Sequence, residues 1–408
     1  MRSAQRDVHA EGTSVKVTVR GTAVLAVVGF IGLLAARYSV HRLDDAMRVH
    51  PEWWPPALQV REQTNQSASF FKWIADPELG FVLPPNLQQT ITTSDFTFVR
   101  VTDAFGFPNG RSWPAHADIV FTGDSLLLGE GVGVDKTFVN LADESLKDQT
   151  IANLGNPGAG LERQRLFFHR YGVALTPSLV VAALYAASDL GNDRAWYAWR
   201  KDPLGMEYNE FRLGYGRRTN PPEGELARRF ENRPLYSWVR SVVEPHLWGA
   251  RRIRHRLRMP DGQEIYFDRK VVKAAKGVLA PDDADLVALS ASLDRFRGQV
   301  TAQGAVFAVM LIPSKEEIFA IEQPPPQGAP IARIRSLLDT KGIPYLDLYP
   351  VLAVSAEHAT PYFQRDIHLN LYGNQVVAEA FTHWYQGALA RDIARITQAR
   401  SGSLRPLK

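Results

Sequence analysis

The sequence predicts an α/β fold in which a parallel sheet is covered by helices on both faces. Three observations carry this. The runs Leu179 to Tyr185 and Ala305 to Ile312 are apolar throughout and do not alternate, as expected of strands buried on both faces. Stretches with helical spacing lie between such runs. The two signals alternate along the chain, the order that builds parallel sheets.

The elements follow in order. Asp118 to Thr122 is a short apolar strand ending at Gly123. Lys136 to Lys147 has helical spacing through Phe138, Leu141 and Leu146. Thr150 to Leu154 is a second strand, Leu161 to Tyr171 a second helix, and Leu179 to Tyr185 a third strand. After an interruption, Ala284 to Val300 is helical and Ala305 to Ile312 is a strand. Pro330 to Lys341 is a helix with proline at its start, where the missing N–H does no harm. Tyr345 to Leu348 is a last strand, and Tyr372 to Leu389 a terminal helix. Sheets of this kind bind ligands beyond the carboxyl ends of their strands. The Gly123–Ser125 turn stands at that end of the first strand, and the Ser188 region at that end of the third.

This places a main domain at residues 116–392, followed by a short tail at 393–408. The interruption, 194–277, is rich in Arg and aromatic residues: Arg194, Trp196, Tyr197, Trp199 and Arg200, and later Arg251, Arg252, Arg254, Arg256 and Arg258. It reads as an insertion with one or two helices. Its basic face is either plain solvated surface or a contact for anionic lipid or an acidic glycan. Residues 41–115 read as an irregular juxtamembrane and lead-in segment, with one alternating strand from Phe96 to Val101.

Residues 1–17 are a polar tail and 18–40 a candidate transmembrane signal anchor. From Gly21 to Ala36 no residue is charged, and Arg20 and Arg37 bracket the run. With its flanks it approaches the roughly 20 residues a spanning helix needs. Leu34-Ala35-Ala36-Arg37 makes a poor cleavage site, which favours an uncleaved anchor over a signal peptide. The flanking charges slightly favour the N-terminus inside, with the following domain extracytoplasmic (periplasmic) at the inner membrane. A buried core helix is the alternative reading.

The 408 residues contain no cysteine, which excludes disulfides, thiolate nucleophiles and cysteine metal ligands. A formal net charge of +4 is too small to argue for a nucleic-acid partner. No His, Asp or Glu grouping has metal-ligand spacing and no phosphate-binding loop is present, so neither metal nor cofactor is expected.

The chemistry-bearing pattern is Gly123-Asp124-Ser125-Leu126 together with Asp366-Ile367-His368. A serine hydroxyl becomes a nucleophile only when a base takes its proton and the base is itself oriented. His368 is the candidate base and Asp366 the orienting carboxylate, with Asn370 a candidate cap for the helix that follows. Acyl transfer also needs donors aimed at the developing oxyanion. The Ser125 backbone N–H is one. The glycine-rich loop Asn153 to Gly158 and the loop Ala187 to Leu190 stand where the others belong. Asp124 is expected to order the turn and not to act chemically. Lys315 reads as surface or as the rim of the site.

These blocks resemble those of the SGNH hydrolase superfamily, also called the GDSL lipase/esterase family, over about residues 100–390. Gly123-Asp124-Ser125-Leu126 matches the first block. Asn153 to Gly158 matches the second, whose glycine N–H donates to the oxyanion; the resemblance assigns that role to Gly158. Asp366-Ile367-His368 matches the last, in the spacing of membrane-associated polysaccharide-modifying relatives, which Ile312 to Glu316 also resembles. The third block departs: its asparagine position falls on Ser188, with Asp189 retained, unless a longer loop makes Asn192 the donor. The resemblance implies a flavodoxin-like three-layer α/β/α fold. It implies a serine esterase or O-acyltransferase acting through Ser125, His368 and Asp366 on an acyl ester, with acetyl groups on an envelope glycan the expected substrate. Polysaccharide-assembly proteins are the implied partners. The competing expectation is a non-catalytic or weakly active glycan-binding scaffold component of such an assembly, motivated by Ser188 and the basic insertion.

Overall fold

Two short antiparallel hairpins precede the main sheet. The first joins β1 (Ile74–Asp76) to β2 (Gly80–Val82), and the second joins β3 (Gln88–Thr92) to β4 (Thr97–Val101). The lead-in segment is therefore more ordered over 72–115 than its sequence suggests, and the rest of it, apart from Arg42, lies outside the described residues. Strands of three residues such as β1 and β2 are too short to display a period, and in this segment only the Phe96–Val101 alternation is legible. In this computed structural model the described residues are 72–219 and 256–393, except for 94, 260–261, 268, 278–280, 282, 320–323 and 392, together with Ser39 and Arg42. The chain divides into two compact units. All described residues except Ser39 and Arg42 belong to the unit made of Asn65–Pro222 and His246–Lys408.

That unit is built on β5 (Ile119–Gly123), β6 (Ile151–Gly155), β7 (Leu179–Tyr185), β10 (Val306–Ile312) and β11 (Tyr345–Asp347). They form one parallel sheet in the order β6-β5-β7-β10-β11. Counted along the chain this is 2-1-3-4-5, the flavodoxin-like order, with its topological switch point between β5 and β7. Every residue of β5, β6, β7 and β10 is buried, which explains the unbroken apolar runs.

The helices are α1 (Ser125–Leu128), α2 (Phe138–Ser145), α3 (Leu161–Phe167), α4 (Asp189–Lys201), α5 (Tyr208–Thr219), α6 (Arg269–Ala275), α7 (Asp283–Ala302), α8 (Lys315–Phe319), α9 (Pro330–Lys341), α10 (Tyr349–Ala356) and α11 (Leu371–Trp384). Neighbouring residues of β5 show the two-sided cover. Phe121 packs edge-on against Phe381 of α11 and Phe138 of α2, whereas Thr122 donates to Gln164 of α3 on the other face. Alternate residues of one strand thus seal two different helix layers.

Within the Arg- and aromatic-rich stretch, α4 and α5 pack together, and a hairpin of β8 (Arg256–Arg258) and β9 (Glu264–Tyr266) follows. Part of its charge is used internally: Arg194 pairs with Asp285, and Arg200 donates to the Pro77 carbonyl. Arg251, Arg252 and Arg254 lie outside the described residues. So does the Gly21–Ala36 run; among the described residues no helix is long and apolar enough to cross a membrane.

Candidate active site

The site forms at the carboxyl end of the sheet, beside the switch point. β5 ends at Gly123, where a side chain has no room: a Cβ there would fall 2.8 Å from Leu127 Cβ and 3.0 Å from Ala183 Cβ. The chain turns at Asp124, whose carboxylate accepts the Leu126 N–H at 2.9 Å and caps α1. Ser125 is the first residue of that helix.

His368 Nε2 lies 2.7 Å from Ser125 Oγ, and His368 Nδ1 lies 2.5 Å from Asp366 Oδ1. A proton on Nδ1 donates to Asp366 and leaves Nε2 to accept from the serine hydroxyl. Asp366 Oδ1 also accepts the His368 N–H at 2.9 Å, so one carboxylate holds both the ring and its backbone. Burial opposes the charged imidazole, but the Asp366 hydrogen bond and charge, with Glu130 and Asp124 beyond, outweigh it and raise the His368 pKa. Burial likewise opposes the Asp366 carboxylate, yet His368 and then Lys315 hold its pKa below the ordinary range.

The loop carrying Asp366 and His368 is clamped from two sides. Asp95 Oδ2, in the turn between β3 and β4, accepts the N–H groups of Arg365 and Asp366, each at 2.6 Å. Lys315 Nζ donates to the carbonyls of Phe363, Gln364 and Asp366 at 3.3, 3.2 and 2.8 Å. Lys315 is only 1% exposed, so the surface reading of this lysine is corrected: its ammonium is enclosed beneath the loop. Asn370 accepts the Gly373 N–H and caps α11, and its amide donates back to the Thr360 and Tyr362 carbonyls.

Across from His368 runs the loop after β6. Gly158 has φ +61°, which a side chain would strain. A Cβ there would also fall 2.4 Å from Arg212 Nη1. Beneath this loop lies Arg163, with 0% exposure. Its Nη1 donates to the Pro157 and Gly158 carbonyls, Nη2 to the Phe81 carbonyl and Asn156 Oδ1, and Nε to the Leu79 carbonyl. The guanidinium also faces the Phe81 and Tyr208 rings at 4.4 and 4.8 Å. Burial lowers its pKa to about 10, so it stays charged at neutral pH.

The third loop differs from its sequence reading. The Ser188 hydroxyl sits 3.4 Å from both Asp124 Oδ2 and Asp189 Oδ1, and Asn192 Nδ2 donates to Ser188 Oγ at 3.5 Å. The Ser188 hydroxyl thus donates to two buried carboxyl groups, one at a time. Burial pushes the Asp124 carboxyl up, and burial together with the Asp124 charge pushes Asp189 well up.

Residues 268–400, which include α8, α11 and the Asp366–His368 loop, match the family described as "SGNH hydrolase-like domain, acetyltransferase AlgX". Among solved structures the chain is similar to a member of the lipolytic G-D-S-L family from Veillonella parvula, at 9% identity and a TM-score of 0.36, over 66% of this chain and 98% of that one. It is also similar to the acetyl xylan esterase AlAXEase (15%, 0.34, 66% and 98%). A catalytic mutant of an acetylxylan esterase from Geobacillus stearothermophilus is a third (11%, 0.33, 66% and 94%). No curated protein matches the chain.

Sequence reasoning about the site missed Asp95, Arg163 and Arg212, and misread Lys315. Each acts on backbone or on a loop far away in sequence, and no local pattern marks such a role. Lys315→Met is expected to leave three loop carbonyls without their donor and to lower kcat with a smaller change in thermal midpoint, since the loop is local. Parallel measurement of hydrolysis and melting separates the two effects.

The Ser125–His368 pair is also expected to show a pH dependence. His368 must be neutral to take a proton from Ser125. Its pKa is raised, so log kcat/KM is expected to climb with pH through a midpoint above the ordinary histidine value of about 6.5. Asp366→Asn removes the charge that raises it, and the midpoint is expected to move down while the rate falls. A pH–rate profile of both proteins checks this; a midpoint that stays put contradicts the assignment.

Proposed function

We propose that this protein is a serine-dependent acyl esterase or O-acyltransferase, with acetyl esters of a glycan as its substrate class. The observation that carries the reading is the continuous hydrogen-bonded run from Ser125 through His368 to Asp366. In the first half-reaction Ser125 Oγ attacks the ester carbonyl carbon while its proton passes to His368 Nε2. Negative charge gathers on the carbonyl oxygen, where the N–H groups of Ser125 and Gly158 are the backbone donors. The tetrahedral species collapses, the C–O bond breaks, and His368 returns the proton to the departing alcohol. In the second, water or a sugar hydroxyl attacks the acyl-serine with His368 as base. Asp366 holds the imidazole in the required tautomer and favours its charged form.

The acetyl group is supported by the family description, an acetyltransferase, over residues 268–400. The uncharged Gly21–Ala36 run supports an anchored enzyme with this domain outside the cytoplasm, in reach of envelope glycans and the proteins that assemble them. An alkaline-phosphatase fusion after Val40 is expected to be active. The test of the chemistry is p-nitrophenyl acetate hydrolysis by wild type and Ser125→Ala: equal rates overturn the reading.

A further inference from the structure

The oxyanion side of this site has an unmatched cation. Arg212, on α5 of the Arg- and aromatic-rich stretch, lays its guanidinium on the Cα of Gly158: a Cβ at that residue would fall 2.4 Å from Nη1, 2.7 Å from Cζ and 3.0 Å from Nε. Nη2 donates to Asn209 Oδ1 at 3.0 Å, and Nε is enclosed with no hydrogen-bond partner. No carboxylate among the described residues forms an ion pair with it. The Phe81 ring lies 6.0 Å from Cζ; burial lowers the guanidinium pKa, opposed first by Tyr208 and then by Asp124, next to the serine.

Such a group calls for a counter-charge. A buried donor without a partner is costly, and so is a cation removed from water without an anion. The cost is offset where negative charge develops during a reaction, because a fixed donor aimed at that point needs no rearrangement when the charge appears. The loop against which Arg212 rests is the one that carries the Gly158 N–H. The neutral donor expected from the loop after β7 is missing from this task, since the Ser188 hydroxyl is held by Asp124 and Asp189.

We propose that Arg212 supplies the third donor to the oxyanion, delivered by α5 in place of the side chain after β7. The proposal rests on the ester chemistry described above and deepens it. A charged N–H forms a shorter and roughly twofold stronger bond to an oxyanion than a neutral one. The covalent steps are unchanged: Ser125 attacks, His368 carries the proton, and Arg212 donates a hydrogen bond that strengthens as the carbonyl oxygen gains charge. No proton leaves the guanidinium.

The test uses the full chain with p-nitrophenyl acetate. Arg212→Ala is expected to lower kcat by about a hundred- to a thousandfold with little change in KM, because the lost interaction belongs to the transition state. Millimolar guanidinium ion, far below denaturing concentration, is expected to restore part of that rate, and Arg212→Lys to fall between Ala and wild type. A residue that merely packs α5 against the loop gives a different pattern: a lowered thermal midpoint and a loss that guanidinium does not repair. That pattern, or an Arg212→Ala enzyme as fast as wild type, overturns the proposal while leaving the esterase reading intact. A wild type no faster than Ser125→Ala overturns both.

Discussion

Ser125→Ala is expected to lower kcat for acetyl-ester hydrolysis on the order of 10⁴- to 10⁶-fold, with KM nearly unchanged. The oxygen that forms the acyl-enzyme is lost, and His368 then has no proton to accept along the reaction coordinate. His368→Ala is expected to cost nearly as much, since an unassisted hydroxyl is a poor nucleophile. The two losses are not expected to multiply. Groups that act as one unit lose their combined effect once, so the double variant is expected to match the worse of the single ones. Asp366→Asn is expected to cost less than either, because the oriented base survives in part. The residual activity of Ser125→Ala comes from substrate binding and the oxyanion donors, which remain. Steady-state rates on the three variants and the double variant check this; losses that multiply would show that Ser125 and His368, 2.7 Å apart, act independently.

The second large effect is on stability. Arg163→Leu is expected to destabilise the domain by on the order of 3–5 kcal/mol. The side chain is fully buried and serves five acceptors on two segments: the Leu79 and Phe81 carbonyls of the lead-in hairpin, and Asn156 Oδ1 with the Pro157 and Gly158 carbonyls of the loop after β6. Leucine fills part of the volume and none of the bonds, so buried carbonyls are left without donors. Arg163→Lys keeps the charge but not the planar fork, and its single nitrogen does not reach all five acceptors. It is expected to recover a minor part of the loss. Because the same side chain holds the Gly158 loop, activity is expected to fall before global unfolding as denaturant is raised. Urea unfolding followed by fluorescence and by activity on the same samples measures both. Coincident transitions in which Arg163→Leu stands within about 1 kcal/mol of wild type would exclude the clamp.

The sheet was legible in the sequence because burial on both faces removes the polar half of each strand. β7 and β10, seven residues each, are apolar from end to end, the mark of strands buried on both faces. The lead-in hairpins were less legible, since β1 and β2 have three residues each. Within the site, Gly123 to Leu126 and Asp366 to His368 stand out because the residue types, and their order at strand ends, are unusual together. Lys315 does not stand out. A lysine at the start of a short helix ordinarily faces water, and nothing in Ser314-Lys315-Glu316 announces that its ammonium is enclosed beneath a loop some 50 residues further on.

By itself the sequence determined the alternation of strands and helices, the absence of thiol chemistry, and a serine, a histidine and a carboxylate of suitable types. Those are properties of composition and period, which short-range chemistry imposes along the chain. Only the tertiary structure decided that the Ser188 hydroxyl turns toward Asp124 and Asp189, that Arg163 and Lys315 hold loops from below, and that Arg212 rests on Gly158. Most of those arrangements rest on contacts between segments distant in sequence, such as Ser188 with Asp124, Arg163 with Leu79 and Lys315 with Asp366. The partners are chosen by which groups the fold leaves unsatisfied, and that is settled when the layers close and water leaves.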